Sequence, residues 1–180
     1  MLSGGRLVTT PGAHSLVVTA ADAAGNTHQV SVPYTVRTAY QPDAEVRAPK
    51  GEWTGSGVLG GPTTQTGSLR TRSHAAKKFL VRVVNRGVQS DQVSLAGRGG
   101  NRKFEVRYLV AGQNVTRQVV AGTYRSPALA PGASLEMTVR IKRLRTAPVH
   151  SQFTSKIAVG SVANPSRTDV VAVQLRPARR

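Results

Sequence analysis

The sequence predicts an all-β protein: an antiparallel β-sandwich preceded by a separate β-hairpin. Two observations carry this prediction. Apolar residues recur at period two along most of the chain, and clusters of Gly, Pro and Asn separate the alternating runs. A third observation agrees with them, since no segment shows a convincing helical period.

Taken in order, His14 to Ala20 alternates with Leu16, Val18 and Ala20 on one face, and Val30, Val32, Tyr34 and Val36 alternate with Ser31, Pro33 and Thr35. Between them, Asp22-Ala23-Ala24-Gly25-Asn26 is a turn, in which Gly25 can take positive φ and Asp22 can bond back to the backbone. Pro33 lacks an N–H and suits an edge.

The logic then repeats. Phe79, Val81 and Val83 form a strand ending at Asn85-Arg86-Gly87, and Val93 and Leu95 form a short one before Gly97-Arg98-Gly99-Gly100-Asn101. Phe104, Val106, Tyr108 and Val110 close at Ala111-Gly112, and Val115 to Val120 reads as the strand that follows. Leu135 to Ile141, then Phe153, Ile157 and Val159, then Val171, Val173 and Leu175 complete the set. About seven strands separated by tight turns make an antiparallel sandwich, with no helix expected.

Composition bounds the function classes. The chain has 180 residues, 25 Lys+Arg against 8 Asp+Glu, and a formal charge of +17. About half of it is apolar or glycine, enough for a core. Its few aromatics (one Trp, four Tyr, three Phe) argue against extended base-stacking platforms, so no specific nucleic acid is expected. The absence of cysteine excludes disulfides and thiol chemistry. No run is long and apolar enough for a membrane span. Met1 to Arg6 leads into no apolar signal-peptide region, so the protein is either cytoplasmic or begins downstream of an export signal.

Charge also marks a boundary. Residues 1–40 carry Arg6 and Arg37 against Asp22, whereas residues 41–180 hold 23 basic and 7 acidic side chains. The break near Tyr40-Gln41-Pro42-Asp43 divides the chain into 1–39 and 40–180, the latter ending in a basic tail.

Two resemblances enter here. Pro11 to Asn26, with its PGAHSLVVTAADAAGN run, and the closing Val32-Pro33-Tyr34-Thr35-Val36 resemble the last hairpin of bacterial Ig-like repeats of the hyalin-repeat type. Only the final third of such a repeat is matched, which implies a truncated repeat. Residues 41–177 are similar to CARDB-like β-sandwiches of secreted bacterial proteins. That similarity rests on Pro42-Asp43, Trp53-Thr54-Gly55-Ser56-Gly57-Val58, Phe79 to Gly87, Asp91 and Leu129-Ala130-Pro131-Gly132-Ala133-Ser134. Arg86 stands where members usually carry an acidic or polar residue, and Leu59-Gly60-Gly61 replaces an aromatic or Asn. The resemblance implies an Ig-like sandwich in an extracellular or cell-surface setting. It implies no catalysis, and as partners the neighbouring Ig-like domains of a larger chain.

The remaining motifs are weighed on chemistry. Gly55-Ser56-Gly57-Val58-Leu59-Gly60 fits G-x-G-x-x-G, but Gly61-Pro62-Thr63-Thr64 follows without a helical pattern, so no nucleotide site or other cofactor is expected. His14, His28, His74 and His150 are scattered, and no carboxylate pair shares a short loop, so no metal site is expected. Asp43 and Glu45 alternate along a strand, and Asp91 reads as a turn cap. Trp53 with its glycine-rich neighbour loop would be the first place to look for catalysis.

The basic clusters are the candidate site. They are Arg70, Arg72, Lys77 and Lys78; Arg98, Arg102 and Lys103; and Arg140, Lys142, Arg143 and Arg145. Such a charge attracts a cell-wall polyanion or polysaccharide in a salt-dependent way. The same residues also suit a solvated sheet face that discourages edge pairing. The sequence therefore reads first as a non-catalytic spacer or adhesion module, with a polyanion- or carbohydrate-binding accessory module as the alternative.

Overall fold

A computed structural model of the chain describes residues 7–58, 65–148 and 150–178. The chain divides into two compact units, with the division between Ala39 and Tyr40.

The first unit is a single hairpin of β1 (Gly12–Ala21) and β2 (Thr27–Val36). Antiparallel register sets His14 opposite Tyr34, Leu16 opposite Val32 and Val18 opposite Val30. The turn forms as its residues dictate: the Asp22 carboxylate accepts N–H bonds from Ala24 and Asn26, both at 2.9 Å, and one from the Asn26 side chain at 2.8 Å. These donors favour the ionised form and hold its pKa below the ordinary value, the Asn26 amide contributing most. His14 stacks obliquely on Tyr34 and bonds to the Thr10 carbonyl, so it is a packed strand residue.

The second unit holds β3 (Pro42–Arg47), β4 (Trp53–Thr54), β5 (Thr66–Arg70), β6 (Lys77–Asn85), β7 (Val93–Gly97), β8 (Phe104–Val110), β9 (Gln113–Asn114), α1 (Thr116–Ala121), β10 (Tyr124–Arg125), β11 (Ser134–Arg143), β12 (Phe153–Ser161) and β13 (Thr168–Arg176). They make two sheets, ordered β10-β7-β12-β13-β5 and β4-β3-β6-β11-β8-β9. The chain is thus an all-β, Ig-like sandwich preceded by a hairpin. Every pairing is antiparallel except β13 with β5, which is parallel. The alternating apolar residues of both sheets, including Phe79, Val81, Tyr108, Val139, Ile157 and Val173, interlock as one core. Burial pushes the Tyr108 phenol up to about 12, and its hydroxyl bonds the Arg98 carbonyl and Ser155 within the core.

One expectation is corrected. Val115 to Val120 is no strand, because Thr116–Ala121 is helical. Val115 and Val119, four apart, are both buried, and the Val119 N–H donates to the Val115 carbonyl. Ahead of the helix the Asn114 side chain accepts from the Thr116 N–H, and Gly122 ends the helix in the left-handed region at φ 70°. Asp91 does cap a turn, the distant one between β12 and β13. Its backbone bridges to Leu129, and its carboxylate accepts the Ala163 N–H from the distant β12–β13 loop at 3.1 Å.

The two turns behind the CARDB-like resemblance are bound to each other. The buried Asn85 amide donates to the Gln89 and Leu129 carbonyls, each at 2.8 Å, and its oxygen accepts the Gly87 N–H. The Asn85 backbone exchanges bonds with Gly132 and Ala133. One side chain thus locks N-x-G against L-x-P-G.

Candidate functional site

Strand alternation turns Phe79, Val139 and Tyr108 into the core and forces Lys78, Arg140 and Arg107 outward. Register then brings those three cations into one line across the six-stranded sheet, since Arg140 is opposite both Lys78 on β6 and Arg107 on β8. Neighbouring strands lie about 4.8 Å apart, so like charges meet at short range, which costs free energy unless solvent, salt or an anion intervenes. One step along the strands, Leu80, Thr138 and Leu109 form a parallel, half-buried row. A surface depression of ≈ 570 Å³ takes in part of each row, lined by Lys78 and Arg140 from the first, Thr138 and Leu109 from the second, and Glu136 beside the Ala111-Gly112 turn. A smaller one of ≈ 160 Å³ adjoins it at Arg107, Arg140 and Lys142. Arg107 also pairs with Glu105 at 2.5 Å, and Glu136 stands opposite Arg82.

Of the predicted basic residues, this face unites Lys78, Arg140 and Lys142. Lys77 is half-buried at the start of β6. Arg70 lies in the other sheet, bonded to the Pro177 carbonyl, and Arg72 is exposed just beyond it. Arg98 sits over the Phe153 ring at 5.5 Å, beside a turn that holds Arg102 and Lys103. Arg143 is buried and donates to the Pro148 carbonyl, whereas Arg145 is exposed in the loop after β11. Sequence reasoning left Arg107 out of the candidate set, although its strand alternation was visible. What it lacked was the pairing of β8 with β11.

A second cluster was not foreseen. Asp43 and Glu45 point away from the core yet are 0% and 2% exposed. Arg86 covers Asp43 at 3.0 Å, and Arg82 pairs with Glu45. Trp53 lies over the Arg82 and Arg47 guanidiniums at 4.4 and 4.8 Å, closing the corner from outside. The Gly57 N–H completes the Asp43 shell. Asp169 reaches in from β13 to accept the Ala44 N–H at 2.7 Å. Its pKa is raised, first by desolvation and further by the Asp43 charge. Within the glycine-rich run, a Cβ on Gly55 would come within 2.2 Å of the Gln65 side-chain oxygen. That glycine serves a close approach, while Leu59 and Gly60 lie outside the described residues. The charges here neutralise one another, and Trp53 acts as their cover. Among the described residues no three His, Asp or Glu side chains converge as a metal centre, and no helix is long and apolar enough to cross a membrane.

No family model matches the chain, and no curated protein matches it in sequence. Solved structures with partial similarity include a FixG-related protein from Vibrio parahaemolyticus, 14% identical over 62% of this chain and 93% of that one, at TM-score 0.39. A protein of unknown function from Porphyromonas gingivalis is 10% identical over 95% of this chain and 68% of that one, at TM-score 0.42. The major pilin subunit of Bacillus cereus is 7% identical over 91% of this chain and 48% of that one, at TM-score 0.43. The fold assignment rests on the chain's own strand pairing.

Proposed function

We propose that the chain is a non-catalytic structural module of a bacterial exported or cell-surface protein, holding neighbouring domains at a fixed spacing. The observation that supports this is the path of the chain through the sandwich. β3 enters beside Asp169, the second residue of β13, through the Ala44 contact. Further along, Gly67 is paired with Val173 and lies against Val46, so β3 and β13 run in the same direction. Arg176 lies seven residue steps beyond Asp169, so the chain leaves roughly 23 Å from where it entered, at the opposite end. Tension applied at the two ends therefore runs along β3 and β13 and loads their hydrogen bonds together, in shear. Head-to-tail connection of this kind suits a tandem array, which agrees with the resemblance to Ig-like and CARDB-like modules.

Two measurements test it. Protease treatment of intact cells is expected to release peptides of this chain, and recovery only after lysis overturns the exported setting. Pulled between residues 40 and 178, the sandwich is expected to resist and then unfold in one step; peeling strand by strand at low force overturns the spacer role. The line of cations on the six-stranded sheet favours a second reading, an accessory module that holds a polyanion or acidic carbohydrate.

A further inference from the structure

Resting on that second reading, we infer that the outer face of β6, β11 and β8 is a binding site for an acidic polysaccharide chain. The chain would lie across the strands, with its carboxylate or sulfate groups on Lys78, Arg140 and Arg107 and its sugar rings on Leu80, Thr138 and Leu109.

Three features of the face specify that ligand. The cations are spaced by the interstrand distance of about 4.8 Å, which is comparable with the advance of one sugar ring along an extended glycan. They form a line, so they match a polymer with a regularly repeated charge better than a compact anion. Beside the line runs the half-buried row, in which Leu80 and Leu109 flank the Thr138 hydroxyl, a shelf for the C–H face of a pyranose and one of its hydroxyls. Among the described residues no aromatic side chain lines the ≈ 570 Å³ depression, so stacking of unpaired bases is not provided for. A second copy of the chain is a poor occupant, because the same cations would face each other across a twofold contact. Glu105 and Glu136 border the line; Glu105 is engaged by Arg107, and Glu136 stands opposite Arg82. Lys142, the next outward residue of β11 beyond Arg140, stands opposite Glu105.

The test uses the whole chain with an oligomeric uronate, a neutral dextran of similar length and a single-stranded oligonucleotide, each titrated calorimetrically at low and physiological salt. The double variant K78E/R140E is compared with R117E/R167E, which makes the same change in charge at exposed positions off this face. Thermal melting establishes that both are folded. The expected result is uronate binding that the face variant weakens by roughly tenfold or more, while the control pair changes it by less than about threefold. L109S, which leaves every charge in place, is expected to weaken uronate binding but not oligonucleotide binding. Equal losses in the two double variants would mean that only the overall field acts, and the site is overturned. Oligonucleotide binding through Lys78 and Arg140 without uronate binding overturns the polysaccharide while leaving the polyanion reading in place. Failure of both anions to bind at low salt removes that reading as well.

Discussion

The hairpin of residues 7–39 and the sandwich of 40–178 are written in the same alternating pattern, yet they use it differently. In the hairpin, Leu16 and Val18 face Val32 and Val30 across two strands, and no described residue is buried. In the sandwich, the same alternation sends Phe79, Val81, Val139 and Ile157 into a shared interior where they are completely covered. Period two therefore specifies which side of a strand is apolar, but burial requires a second sheet. Two strands alone are marginal in water, whereas two packed sheets sustain a cooperative core.

The largest expected effect breaks the comparison outright. Residues 40–180 expressed alone should melt cooperatively, at the temperature of the full chain's main transition, because every residue of the core cluster lies between Ala44 and Leu175. Residues 1–39 alone should give the circular dichroism of an unfolded peptide. A folded isolated hairpin would show that two strands hold without a second sheet, and a sandwich that fails to fold without residues 1–39 would show that its core depends on them. A smaller effect comes from paired truncations. Phe79→Ala empties part of the core and should cost about 3–5 kcal/mol, read by denaturant unfolding. Val32→Ala, at a position 45% exposed in the hairpin, should leave the sandwich transition unmoved within about 0.5 kcal/mol.

The same contrast explains what was legible from the sequence. The long strands, the Asp22 turn and the outward placement of Lys78 and Arg140 follow from local alternation, which depends only on neighbours two residues away. The helix at Thr116–Ala121 was hidden because Val115, Val119 and Val120 fit either period over so short a run, and the Gly122 stop gave the only further hint. The cation line and the buried Asp43 and Glu45 needed pairings between residues dozens of positions apart. A carboxylate on the outward face reads as solvated until Arg82, Arg86 and Trp53 are known to fold over it. Asn85 shows the reverse case, a motif whose residues were recognisable before their contact was: one buried amide explains why the two turns belong together.

The smallest expected effect contrasts two aspartates, and it differs in sign between the units. Asp22 sits at an exposed turn where N–H donors stabilise its ionised form, so its folded pKa lies below the ordinary 3.8. The stability it lends its turn is present above that value and is lost as pH falls through the lowered folded pKa. Asp169 is buried beside Asp43, and its folded pKa is raised because desolvation and the neighbouring charge oppose ionisation more than its backbone donors favour it. Its folded form therefore binds a proton more tightly than the unfolded chain does. Its contribution is fully present below 3.8 and declines as pH rises through the folded value. Carboxyl-carbon NMR titration of the intact chain should give midpoints on opposite sides of 3.8. In Asp169→Asn, sandwich stability should lose the component that falls with rising pH above 3.8, while retaining whatever slope the other groups supply. An Asp169 midpoint at or below the ordinary value would mean that the Ala44, Val170 and Gln65 donors outweigh burial, and that both units treat their carboxylates alike.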